Sequence, residues 1–225
     1  MSGIRRIDRV IGVVLVLVLA GLVGLGLGDS RSAARTPLSG PATIPSSPSV
    51  TAAPPTTTTL PLAPTTTSLV PIAGPVTAVG DSIILDAQRQ LETLVPGASV
   101  DGLVSRQFDA GVGVVQADRA AGTLGKVLVV VLGTNGPISP AGVDAMVTAA
   151  TGVSRIVFVN VCVPRAWAAD DNAVLAAGVA RHGDVAVLAD WSALATPHPE
   201  WFTADQVHLN PAGATALATL IASKV

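Results

Sequence analysis

From Val76 to the last residue, short apolar runs alternate with stretches whose apolar residues recur every three or four positions. Val76–Val79, Ala98–Asp101, Lys126–Leu132, Arg155–Val161 and Val185–Ala189 are short and largely apolar, and they predict five strands. Ile83–Leu94, Phe108–Ala121, Ala141–Ala150, Asn172–Ala180 and Pro211–Ser223 carry the helical spacing. Pro96-Gly97, Gly122 and Gly183 punctuate the connections. Ser139 ahead of Pro140 reads as a helix N-cap followed by proline in the first turn. Strict alternation of strand and helix predicts an α/β fold, a three-layer α/β/α arrangement around a five-stranded parallel sheet of order 2-1-3-4-5. In that order a crevice opens at the carboxyl ends of strands 1 and 3.

The first 74 residues follow another pattern. Arg5, Arg6 and Arg9 precede an unbroken apolar run, Val10–Leu27, of about eighteen residues, near the lower limit for spanning a bilayer. Residues 1–34 therefore read as a cytoplasmic stub and a single-span anchor, with the rest of the chain exported. Ser32-Ala33-Ala34 offers a cleavage site, and a cleaved segment would make the remainder a secreted protein. Residues 35–74 are rich in Pro, Thr, Ser and Ala and show no apolar face to repay ordering. They read as a disordered spacer open to O-glycosylation, with a reach on the order of 100 Å at the polyproline rise. The expected division is thus 1–34, 35–74 and a domain at 75–225, held at the cell membrane on its outer side.

Composition narrows the picture. Aromatic residues are 3% of the chain and tyrosine is absent, so the core must be built from Val, Leu, Ala and Ile, as in a parallel sheet buried on both faces. A net charge of −2 supplies no global basic field, so no nucleic-acid partner is expected. The single cysteine, Cys162, has no intrachain disulfide partner and reads as a buried free thiol at the end of a strand run. The three histidines do not form a ligand set, so neither metal nor cofactor is expected. His182 reads as a helix-end residue and His198 as part of the loop before Trp201.

The candidate chemistry gathers at Gly80-Asp81-Ser82, where the first strand turns into the first helix. Gly80 permits the tight turn, and the helix amino terminus offers free N–H groups to an anion. Ser82 is a candidate nucleophile; an N-cap is its plain alternative. Asp81 reads as a support for the turn through backbone N–H groups. Gly28-Asp29-Ser30 repeats the tripeptide without strand or helix around it and carries no such reading. Far along the chain, Asp205-Gln206-Val207-His208 supplies a candidate base, His208, and a carboxylate, Asp205, to orient it; surface polarity before the last helix is the alternative. Asn135, in Gly133-Thr134-Asn135, is a candidate oxyanion donor, and Asn135-Gly136 is equally a turn signal.

Gly80-Asp81-Ser82, Gly133-Thr134-Asn135 and Asp205-Gln206-Val207-His208, in that order, resemble the motifs of SGNH (GDSL-type) hydrolases. Val104-Ser105-Arg106-Gln107 and Val163-Pro164-Arg165-Ala166-Trp167 resemble the extracellular SGNH domains of membrane-bound O-acyltransferases, including peptidoglycan O-acetyltransferases. The resemblance covers about residues 75–225. It implies a Ser82–His208–Asp205 triad and an oxyanion hole of Ser82 and Ser105 N–H groups with the Asn135 amide. Ser105 departs from the glycine that the family often carries there. Arg106, Arg165, Trp167 and Trp201, in loops at the sheet's carboxyl edge, are candidate substrate contacts. The resemblance implies an exported serine esterase acting on O-acyl, above all O-acetyl, groups of a cell-envelope glycan. Transfer of the acetyl group to such a glycan is the alternative, and it would require a separate membrane acyl donor; a glycan-binding domain without turnover is the third reading.

Overall fold

The computed structural model describes residues 69–225. The expected membrane segment, the repeated Gly28-Asp29-Ser30 and most of the expected spacer lie outside the described residues. Among the described residues no helix is long and apolar enough to cross a membrane.

The elements run β1 (Val76–Gly80), α1 (Ser82–Leu94), β2 (Ser99–Gly102), α2 (Phe108–Ala121), β3 (Val127–Val131), α3 (Pro140–Ala149), β4 (Arg155–Val159), α4 (Ala168–Arg181), β5 (Ala186–Ala189), α5 (Trp191–Ala195), a 3-10 turn Pro199–Trp201, and α6 (Pro211–Ala222). All strand pairs are parallel, in the order β2-β1-β3-β4-β5. Gly80 pairs with Val131, so β1 and β3 end level at the switch point.

Side chains alternate across the three central strands, whose residues are all buried. Ala78, Val129 and Val157 face a cluster with Ile84 and Leu91 of α1 and Leu217 and Ile221 of α6. Val79, Leu128, Val130 and Phe158 face the other cluster, with Val115 of α2, Met146 of α3 and Leu175 of α4. Burying one such aliphatic side chain stabilises the fold by roughly 1.5–3 kcal/mol, so this two-sided core fixes the sheet that carries the crevice.

Most elements fall within two residues of the sequence pattern, and the exceptions have local causes. β4 stops at Val159 because Asn160 turns its side chain to Asp190 Oδ1 (2.8 Å) and the Ser192 N–H (2.8 Å). Cys162 therefore lies beyond the strand and is half-buried rather than sealed in the core. α4 begins four residues before its expected start, with Asp170 and Asp171 favouring its positive end. α5, too short for periodicity to reveal, is capped by Asp190, which accepts from the Ala193 N–H at 3.0 Å.

At the amino edge of the sheet, Arg155 opens β4. Its Nη1 donates to Lys224 O (2.9 Å) and its Nη2 to Val70 O (2.8 Å), joining both ends of the described chain.

Candidate active site

Ser82 stands where β1 passes into α1. A Cβ on Gly80 would lie 2.7 Å from Val131 O and 2.6 Å from Ile84 Cγ2, so only glycine lets the turn sit against β3. Asp81 is wholly buried beneath it. Its N–H donates to Val131 O (3.1 Å), and its Oδ1 accepts from the Ile83 N–H (2.9 Å), which caps α1. Its Oδ2 accepts from Asn135 Nδ2 (3.2 Å). Burial pushes the Asp81 carboxyl up, while bonds from Ile83, Thr134 and Asn135 pull against it. One amide N–H of Asn135 is thus spent on Asp81, and the second remains for a ligand.

Arg106 supports the same turn from below. Its Nη1 donates to Gly80 O (3.0 Å) and Asp101 O (2.6 Å), and its Nη2 to Asp101 Oδ1 (2.7 Å). The side chain is 5% exposed. This corrects the expectation of a substrate contact: the guanidinium is committed to the backbone that carries Ser82. Ser105, one residue earlier, is exposed, with φ +62, the left-handed region that glycine adopts freely. Serine here keeps a glycine-type backbone and a usable N–H, at the cost of local strain.

His208 arrives on the Thr203–Leu209 loop, which is pinched at its neck by the Phe202–Leu209 bridge. His208 Nδ1 lies 2.6 Å from Asp205 Oδ2, and Nε2 lies 3.1 Å from Ser82 Oγ. With the ring proton on Nδ1 toward Asp205, Nε2 is free to accept from the serine hydroxyl. Asp205 Oδ1 also accepts from Thr203 Oγ1 (2.7 Å) and the N–H groups of Val207 (2.9 Å) and His208 (3.0 Å). The bond from His208, followed by these N–H groups, holds the Asp205 carboxyl far below its usual range. The bond to Asp205, outweighing some desolvation, raises the imidazole above its ordinary 6.5, with the charges of Asp205, Asp86 and Asp81 adding to it.

Asp86, unflagged by the sequence reading, also holds the loop. It sits one turn after Ser82 on α1, and its Oδ2 accepts from the Leu209 N–H at 2.9 Å. Only its i+4 spacing from Ser82, on the same helix face, could have drawn attention to it.

Ser82, Ser105, Thr134, Asn135, Arg165 and His208 line one crevice of about 170 Å³. Trp167 does not reach it: its Nε1 donates to Gly133 O (3.0 Å), steadying the loop that carries Asn135. Trp201 stacks between Trp191 (5.8 Å) and His198 (4.0 Å), an aromatic wall beside the core. Both tryptophans are half-buried and neither lines this crevice. Arg165 keeps an exposed side chain on its rim. His182 closes α4 and bonds Asp144 (2.8 Å), and His198 bonds Glu200 (2.8 Å). No set of three or more metal-ligating side chains gathers among the described residues. The arrangement can draw the serine proton onto His208 while donors at Asn135 and the backbone face the space above Ser82.

No protein-family model matches the chain. The chain is similar to the peptidoglycan O-acetyltransferase OatA of Listeria monocytogenes, 31% identical over 146 residues, which is 65% of this chain and 23% of that protein. It is likewise 31% identical over 144 residues to the O-acetyltransferase OatA of Staphylococcus aureus (strain NCTC 8325), 64% of this chain and 24% of that one. The chain thus spans about a quarter of the length of these curated relatives. Among solved structures, the C-terminal catalytic domain of Streptococcus pneumoniae peptidoglycan O-acetyltransferase A, carrying a methylsulfonyl adduct, superposes with a TM-score of 0.61 at 26% identity, covering 68% of this chain and 93% of that one. In its sheet order, its ordered motifs and these likenesses, the chain resembles SGNH (GDSL-type) hydrolases and, among them, the catalytic domains of peptidoglycan O-acetyltransferases.

Proposed function

We propose that the chain is a serine esterase working outside the cytoplasmic membrane on O-acetyl groups of a cell-envelope glycan, with Ser82, His208 and Asp205 as its triad. The observation that carries the reading is the unbroken line from Asp205 Oδ2 through His208 to Ser82 Oγ, at 2.6 and 3.1 Å. The substrate class follows from the relatives named for peptidoglycan.

In this reading Ser82 Oγ attacks the ester carbonyl as its proton passes to His208 Nε2. The carbonyl oxygen, now an oxyanion, is held by the free Asn135 amide N–H and the N–H groups of Ser82 and Ser105. Collapse breaks the bond to the sugar oxygen, which leaves with the proton from His208. Acetyl-Ser82 remains. Water then attacks with His208 again taking a proton, and acetate departs, restoring the serine. Asp205, ionised throughout, steadies the imidazolium in each half.

Transfer is the second reading, favoured by the relatives' description as O-acetyltransferases. It uses the same acetyl-Ser82, with a sugar hydroxyl in place of water and an acyl donor supplied by a membrane partner. The Arg-flanked apolar run at residues 10–27 and the Pro/Thr-rich stretch after it support a tethered or secreted domain on the outer side.

The test is turnover of 4-nitrophenyl acetate by the purified chain, with methanesulfonyl fluoride as a serine-directed probe. The expected result is loss of activity on labelling at Ser82, and none in folded Ser82→Ala. Full activity in that variant would overturn the assignment of Ser82 as nucleophile, and no turnover or labelling in the unaltered folded chain would favour a binding domain. Adding glycan oligomers and measuring acetate against acetylated sugar separates hydrolysis from transfer.

A further inference from the structure

A second, larger cavity of about 470 Å³ adjoins the crevice. The two share walls. In the Thr203–Leu209 loop, Asp205, Val207 and His208 line the crevice, while Thr203, Ala204 and Gln206 line the cleft. In the loop after β4, Arg165 lines the crevice and Cys162, Val163 and Pro164 line the cleft. A small void of about 10 Å³ beneath them touches both linings, at Thr134 and Val207 of the crevice and at Cys162 and Val163 of the cleft.

The mechanism gives this adjacency a direction. The carbonyl oxygen must point to Asn135 and Ser105. The leaving oxygen must lie against His208 Nε2, which protonates it. The alcohol half of the ester is therefore directed to the loop that walls the cleft, and the acyl half away from it.

The lining suggests what the alcohol carries. Val163, Pro164 and Phe202 give apolar surface, suited to a methyl group or the C–H face of a sugar ring. Gln206 adds an exposed primary amide, held there by a left-handed backbone (φ +58) that is uncommon for a non-glycine residue. A side-chain amide both donates and accepts, so it can pair reciprocally with another amide. A sugar with an acetamido substituent offers both a methyl group and an amide.

We propose that this cleft is the subsite for an acetamido sugar on the alcohol side of the ester, with Gln206 as the residue that recognises the acetamido group. The proposal rests on the acyl-transfer reading of Ser82 and is tested apart from it.

Binding of N-acetylchitotetraose to the folded Ser82→Ala chain is followed by tryptophan fluorescence, which needs no turnover. Cellotetraose, lacking acetamido groups, is the control. The acetamido oligomer should bind at least about tenfold more tightly, the scale of one or two specific polar contacts. Thr196, at the end of α5, also lines the cleft; Thr196→Trp narrows it and should weaken that binding about tenfold or more. Gln206→Ala, an exposed change that threatens the fold less, should weaken it about three- to tenfold and narrow the preference over cellotetraose. The Thr196→Trp chain should keep the circular-dichroism spectrum of its parent, so that lost binding is not lost fold. Equal binding of the two oligomers, or undiminished binding in both variants, overturns the proposal. So does a Thr196→Trp loss confined to 4-nitrophenyl hexanoate turnover, which would assign the cleft to the acyl chain. Failure of the Ser82 reading would show separately, as 4-nitrophenyl acetate turnover that survives Ser82→Ala.

Discussion

The two halves of the site are held by opposite means. The Ser82 turn is buried and fixed from beneath, by the close contact of Gly80 with β3, the Asp81 cap and the Arg106 guanidinium. The Asp205–His208 loop is largely exposed and held by polar bonds, three of them converging on Asp205 Oδ1 and one reaching Asp86. The position of Ser82 is part of the fold; the position of His208 is an arrangement laid upon it. Changes on the serine side should therefore register first in stability, and changes on the histidine side first in rate.

The strongest attempt to break this contrast is Asp205→Asn. It removes the ionised partner of His208 and disturbs the tautomer. In the proposed enzyme kcat should fall about 10³–10⁴-fold, as for other triads that lose their carboxylate. The thermal midpoint should move little, because the residue is exposed; a large fall in midpoint would contradict the contrast. Arg106→Met tests the other half. It strips hydrogen bonds from Gly80 O, Asp101 O and the Asp101 carboxylate and removes a buried side chain from beneath the turn, with Gly80 O keeping only the Leu103 N–H. Stability should drop by about 2–4 kcal/mol, read from the urea midpoint. An unchanged midpoint with lost activity would make Arg106 a substrate contact after all.

Asp86→Ala releases the Leu209 N–H while leaving the triad side chains in place. We expect kcat to fall about tenfold, since small misplacement of a base is costly. A matching rise in KM alone would point to substrate binding instead. The smallest effect is on the pH profile. His208 must be neutral to take the serine proton, and its pKa is raised. Activity should therefore fall as pH drops through a value above 6.5. Removing the charge of Asp86 should shift that acid limb to lower pH. A shift to higher pH would be inconsistent with the assigned charges.

The same contrast explains what sequence makes legible. α2 is readable to the residue, because its start follows a polar loop and Gly122 ends it with φ +72. Alternation makes the parallel sheet legible, and β2-β1-β3-β4-β5 is one of the two common doubly-wound orders it allows. α5 escapes, since five residues hold too little periodicity. At the site, Ser82, Asn135, Asp205 and His208 can be picked out as residue types in context, while their separations cannot. Arg106 misleads: an arginine in a loop reads as exposed, and only the fold reveals that β1 and β2 close over it. Trp167 and Trp201 are legible only as half-buried loop residues, because a tryptophan serves a sugar face or a packing wall equally well. Asp86 is silent, its partner being a backbone N–H more than a hundred residues away.

Arg155 carries a mechanical consequence. It clasps Val70 and Lys224 at the amino edge of the sheet, while the crevice opens at the carboxyl edge. A pull applied through residue 69 would thus load this clasp, and the strand ends behind it, before any strain reached Ser82. If the domain is tethered through its amino-terminal side, it hangs by its back. Its reactive face is turned outward, and drag on the tether is absorbed at a point where nothing chemical happens.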